Sequence, residues 1–167
     1  RQVERLEAVG HLETCRFFAR PELVLDEPLA TWQRGLPAPD FSAVSLGARR
    51  RWVSPPVTVR CVVATRAGRR GGRAPRETEA THDLHLSQIY LRMRRVLPTR
   101  ARSWAGEDDV RHLQDDRREG GQKLPDALVR DGRHLTAIEM VGESYRPEKL
   151  AEFHEFCRAH GLAYELW

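Results

Sequence analysis

A chain of 167 residues, 40% of them hydrophobic, suits one domain with a sizeable core, or one domain and a fragment of another. No apolar run approaches the roughly 18 residues of a membrane span and no signal peptide is visible; the cysteines, Cys15, Cys61 and Cys157, lie far apart without a CxxC pair, which argues against structural zinc and for a reducing cytoplasm. The net charge of +4 is uneven: residues 1–75 carry 13 Arg against 7 Asp and Glu (+6), and residues 76–167 carry 15 Arg and Lys against 17 (−2), so phosphate contact is expected of the N-terminal part.

The chain starts at Arg1, inside a helical pattern, and reads as a C-terminal fragment. In RQVERLEAV, Val3, Leu6 and Val9 fall at helical spacing and Gly10 is a stop signal. HLETCRFF reads as a strand, and PVTVRCVVAT, Pro56 to Thr65, as a second, rich in Val and Thr. Helix, strand, long insertion, strand is the order of the recognition helix and wing of a winged helix-turn-helix whose earlier helices are missing. Arg1 and Arg5 on the polar helix face would then lie in a DNA groove. The insertion, about 21–55, is proline-rich and carries Trp32, Phe41 and Trp52; it reads as ordered but irregular, packing aromatics on its neighbour. Arg49, Arg50 and Arg51, with Arg66, Arg69, Arg70 and Arg73 of RAGRRGGR, are the densest basic clusters. They suit phosphate contact or, alternatively, form a solvated surface. The composition of 66–77 is that of a basic linker, dividing a region 1–75 from a domain 76–167.

Beyond the linker, Thr81 is placed to cap a helix running to about Val96, stopped by Pro98. His82 and His85 lie three apart on its first turn; without a third ligand they read as polar or packing residues. ARSWAGE, 101–107, reads as a strand and the charged stretch after it as a loop with or without a helical turn. LPDALV and HLTAIEMV are joined by Asp131-Gly132-Arg133, a hairpin signal. Alternation puts Leu135, Ala137, Glu139 and Val141 on one face of the second strand and Thr136, Ile138 and Met140 on the other. Ser144 is placed to cap a helix to about His160, with Pro147 in its first turn and Gly161 at its end, and LAYELW closes as a strand. The domain thus reads α-β-β-β-α-β.

Within it Asp126 and Glu139 occupy adjacent apolar strands. A carboxylate is costly to bury unpaired, and two facing each other repel; a hard divalent cation with oxygen ligands answers both. The alternative is that Asp126 starts the hairpin and Glu139 pairs with an arginine.

Pro125-Asp126 and Glu139, in this element order, resemble the PD-(D/E)XK nuclease superfamily, the restriction-endonuclease-like fold. The resemblance implies that Asp126 and Glu139 bind Mg2+ or Mn2+ for phosphodiester cleavage, with Glu107 as a further metal acid. The family lysine, two residues after the second acid, is here Val141. Lys149 is the candidate to replace it, ahead of Lys123. More narrowly, the helix and wing at 1–65, THDLHLSQIYLRMR, WAGED, KLPDALV, AIEMVGE and GLAYELW are similar to the replication-relaxation family of plasmids and other bacterial mobile elements, a winged helix followed by a nuclease-like domain. That likeness implies a cytoplasmic DNA-binding protein working with replication or mobilisation partners. Its nuclease-like domain is expected to be degenerate or, alternatively, a Mg2+-dependent endonuclease or nickase. No GxGxxG, Walker A or GxSxG supports a small-molecule enzyme.

Overall fold

The computed structural model describes residues 1–20, 23–65, 76–107, 109–110 and 124–167. In chain order its elements are α1 (Gln2–Ala8), β1 (Leu12–Ala19), β2 (Ala30–Trp32), α2 (Phe41–Arg51), β3 (Val57–Ala64), α3 (Ala80–Val96), α4 (Pro98–Ala101), β4 (Ala105–Gly106), β5 (Ala127–Asp131), β6 (His134–Glu139), α5 (Pro147–Ala159) and β7 (Ala163–Leu166). They fall into two compact units, one of Arg1–Glu22 with Ser54–Leu84 and one of Leu23–Val53 with His85–Trp167. No helix among the described residues is long and apolar enough to cross a membrane.

The first unit is built on a two-stranded antiparallel ribbon, β1 with β3, in register from Leu12↔Ala64 to Ala19↔Val57. Helix α1 stops where the sequence signals it. The Gly10 N–H returns to the Glu7 carbonyl and the His11 N–H to the Leu6 carbonyl, a Schellman closure that needs the left-handed φ of +72° at Gly10. Gly161 closes α5 in the same way, with φ +66° and the Leu162 N–H on the Cys157 carbonyl.

The second unit is a five-stranded mixed sheet in the order β2-β7-β6-β5-β4, antiparallel except for β6 with β7. Parallel neighbours need a crossover, and α5 supplies it. Both sheet faces are covered. One layer joins Trp32, Val44, Ala48, Ala137, Val141, Tyr145, Leu150, Phe153, Cys157, Tyr164 and Leu166; the other joins Leu25, Trp52, Ile89, Met93, Ala127, Val129, Ile138, Met140 and Trp167. Arg100 of α4 reaches Glu165 of β7 at 2.7 Å and ties that end of the sheet together.

Several expectations are corrected here. The boundary near residue 75 does not hold, because residues 23–53 belong with the C-terminal sheet: β2 adds an edge strand to β7, and α2 packs beside α5. The insertion is also more regular than its prolines suggest. Asp40 caps α2 by accepting from the Ser42 and Ala43 N–H groups at 2.9 and 3.0 Å. The stretch 101–107 is not a strand throughout; Pro98, its φ already helical, opens the short helix α4 and leaves only Ala105–Gly106 to pair. Ser144 does not cap α5. The Tyr145 N–H closes a turn on the Gly142 carbonyl, and Pro147 takes the first helical position, so Lys149 lies in the first turn rather than the second. Helix α3 begins at Ala80, and the Thr81 hydroxyl accepts the Arg20 N–H instead of capping.

Candidate functional site

Strand β6 is buried on both faces from Thr136 to Glu139, since one helical layer lies over each side of the sheet. Its register with β5, Ala127↔Ile138, carried one step further, sets Asp126 opposite Glu139. The hairpin therefore brings together the two acids singled out in the sequence. Asp126 is 7% exposed and Glu139 fully buried.

Each acid is held by a donor of the chain itself. An Asp126 oxygen accepts the Met140 backbone N–H at 2.7 Å, and Glu139 Oε1 accepts the Tyr145 hydroxyl at 2.5 Å. Such charge-assisted bonds are short and strong, and they offset the desolvation of a buried carboxylate. Tyr145 is fixed from behind, for the Ser45 hydroxyl of α2 donates to its carbonyl at 2.7 Å and Arg49 Nη2 donates to Ser45 Oγ at 3.1 Å. Burial, and then the nearby Asp126 carboxylate, push the Tyr145 hydroxyl pKa well above its ordinary value, so it stays a donor at neutral pH. The Lys149 ammonium sits 3.7 Å from the centre of the Tyr145 ring, a close cation–π contact.

Sequence reasoning missed Tyr145 and Ser45. No period links Tyr145 to Glu139, and Ser45 lies in a helix that the sequence hides among prolines.

The third acid does not join the pair. Gly106 pairs with Ala127, which points the chain toward Asp126, but the strand ends there; Glu107 turns into a helical segment with its side chain exposed, and the Gly106 N–H goes to Asp109 at 3.3 Å. Among the described residues no group of three His, Cys, Asp or Glu is placed to hold a metal ion. Val141, at the position of the family lysine, is 1% exposed in the core layer with Tyr145 and Leu150. A hard cation wants several oxygen ligands with room for water. Asp126 and Glu139 each accept one hydrogen bond within the chain, from Met140 and Tyr145, and Glu139 is fully buried.

The arginines expected to touch DNA are dispersed. Arg1, at the N-cap position of α1, and Arg5 within the helix are exposed. Arg49 and Arg50 are exposed on α2, in the second unit rather than the first. Arg51 is half-buried: it donates to the Glu27 carbonyl at 3.3 Å, and burial lowers its pKa. Arg66, Arg69, Arg70, Arg73 and Lys123 lie outside the described residues. Of the histidines, His85 is fully buried edge-on to Trp52 at 4.9 Å, a packing role, and His82 lies 3.4 Å from Asp83. Comparison with protein-family models, curated proteins and solved structures finds no match to this chain.

Proposed function

We propose that this chain is a DNA-binding protein whose second unit is a nuclease-like domain that has given up cleavage and serves as scaffold or partner surface. The observation that carries the reading is the engagement of Asp126 and Glu139 by Met140 and Tyr145, with Val141 buried where a nuclease needs a cation. The order α3-β4-β5-β6-α5-β7, with β4, β5 and β6 antiparallel and β7 parallel to β6, supports a restriction-endonuclease-like core. Helix α1 followed by the β1–β3 ribbon supports a recognition helix and wing. Exposed Arg1, Arg5, Arg49 and Arg50 supply phosphate contacts. A role in replication or mobilisation of a plasmid or other mobile element rests on the resemblance of the motifs alone.

A second reading, a Mg2+- or Mn2+-dependent endonuclease, draws on Lys149, whose ammonium lies against the ring of Tyr145, the residue that donates to Glu139. One experiment separates the two: fluorescence anisotropy of labelled duplex DNA over a range of salt, followed by incubation of supercoiled plasmid with either ion. The proposal expects binding that weakens steeply with salt and plasmid that stays supercoiled. Nicking that disappears in Lys149→Ala would establish the second reading, and a flat salt response would remove phosphate-driven binding to duplex DNA.

A further inference from the structure

The ribbon of the first unit carries an arrangement that the arginine clusters of the sequence did not reveal. In the β1–β3 register Arg16 stands directly opposite Arg60, and Phe18 directly opposite Thr58. Arg16 and Phe18 are two residues apart on one strand, so they share a face with Arg60 and Thr58, spaced about 7 Å along it. The other face carries Cys15, Phe17, Val59 and Cys61, all half-buried. Phe18 is 62% exposed, and Arg16 and Arg60 are exposed beside it.

Neither feature serves the fold. Like charges directly opposite on a ladder are destabilising, and a phenyl ring left in water forgoes the burial that would stabilise it. Glu7 of α1 answers half of the charge: its carboxylate lies 3.6 Å from Arg60 and accepts the Thr14 hydroxyl. Arg16 has no ion pair among the described residues. What remains is a guanidinium beside an exposed aromatic ring, on a two-stranded ribbon.

From this we infer that the Arg16, Phe18 and Arg60 face binds single-stranded DNA, Phe18 stacking an unpaired base and the two arginines taking the flanking phosphates. The inference rests on the DNA-binding reading and narrows it to the strand form. A base offers its face to a ring only when it is unpaired, and stacking on a protein aromatic tolerates any sequence. In a duplex that face is already covered by neighbouring base pairs, so Phe18 would gain nothing. Anionic phosphate between Arg16 and Arg60 relieves the repulsion that the ribbon otherwise tolerates.

The test uses the full 167-residue chain and two labelled probes, an oligo-thymidine strand and a duplex of equal length, followed by anisotropy. Phe18→Ala should weaken oligo-thymidine binding about tenfold and leave duplex binding unchanged, whereas Phe18→Trp should retain it. Arg16→Ala should lower the slope of log affinity against log salt on the single strand by about 0.7, one phosphate's share. Phe18 is exposed, so Phe18→Ala should melt with the parent chain, which circular dichroism checks. Equal loss on both probes would reduce the face to a phosphate contact and overturn the inference. So would unchanged oligo-thymidine binding in Phe18→Ala, including the case where that variant instead dissolves a dimer seen by light scattering. In each of these cases duplex binding by the parent chain leaves the broader reading standing; loss of binding to both probes in the parent chain would sink that reading itself.

Discussion

The two units hold the same cross-strand device in opposite settings. In the first, Arg16 and Arg60 face each other on an open ribbon; in the second, Asp126 and Glu139 face each other where the sheet is covered on both sides. Water screens the arginines, and Glu7 answers one of them. No solvent reaches Glu139, and so the chain supplies donors, the Met140 N–H and the Tyr145 hydroxyl, as part of its fold. Charge left at a surface is available to a ligand. Charge met by donors within the fold contributes to its stability.

Mutations should separate the settings by size of effect. The largest loss is expected on opening the layer that encloses the acids: Leu150 is fully buried, and Leu150→Ala should cost about 2–5 kcal/mol in urea denaturation. A loss below 1 kcal/mol would mean that the layer is not closed. Next comes Tyr145→Phe, which removes the donor to Glu139 and should cost about 1.5–3 kcal/mol, the range for a hydrogen bond to a charged group. Neutral behaviour there would show that the hydroxyl is not needed to hold the carboxylate.

A third effect depends on pH. Burial pushes the Cys157 thiol from 9.0 up to about 12 in the folded chain, so folding favours the neutral form. The stability so contributed is complete below pH 9 and lost as pH rises from there toward 12, on the order of 1 kcal/mol by pH 10. Cys157→Val should flatten that alkaline loss, measured as unfolding free energy at pH 7, 9 and 10; an unchanged slope would assign it to other groups. Tyr164, raised by burial and then by Cys157, adds in the same direction. The smallest expected effect has the opposite sign. Arg16→Thr should leave stability within about 0.5 kcal/mol or raise it slightly, because it removes a like-charge pair from an exposed strand. A loss above 1 kcal/mol would show that Arg16 is engaged in the fold.

Legibility in the sequence followed periodicity. The Asp131-Gly132 turn between alternating runs gave β5 and β6 with their opposed acids, and Gly10 and Gly161 marked two helix ends to the residue. Helix α2 stayed hidden because its buried face is made of Val44, Ser45 and Ala48, small residues that give a weak apolar stripe; Asp40, capping it, was the available signal. Strand β2 is three residues long, too short for any period to register. Membership of residues 23–53 in the C-terminal sheet is a long-range fact, carried by pairing with β7 at the far end of the chain. At the site, the spacing gave the acids but not their partner. Tyr145 reaches Glu139 through an irregular turn, and only Pro147, fixing where α5 starts, hinted that Ser144 was not the cap.

Whether the two acids are committed to the fold is tested most directly by the thermal midpoint of the wild-type chain and of Asp126→Asn, each with and without Mg2+ and Mn2+. An ion bound only by the folded state raises that midpoint. With Asp126 and Glu139 engaged by Met140 and Tyr145, the ions should shift both proteins equally or not at all. A rise in the wild type that vanishes in Asp126→Asn would contradict the account and restore a metal centre to the second unit.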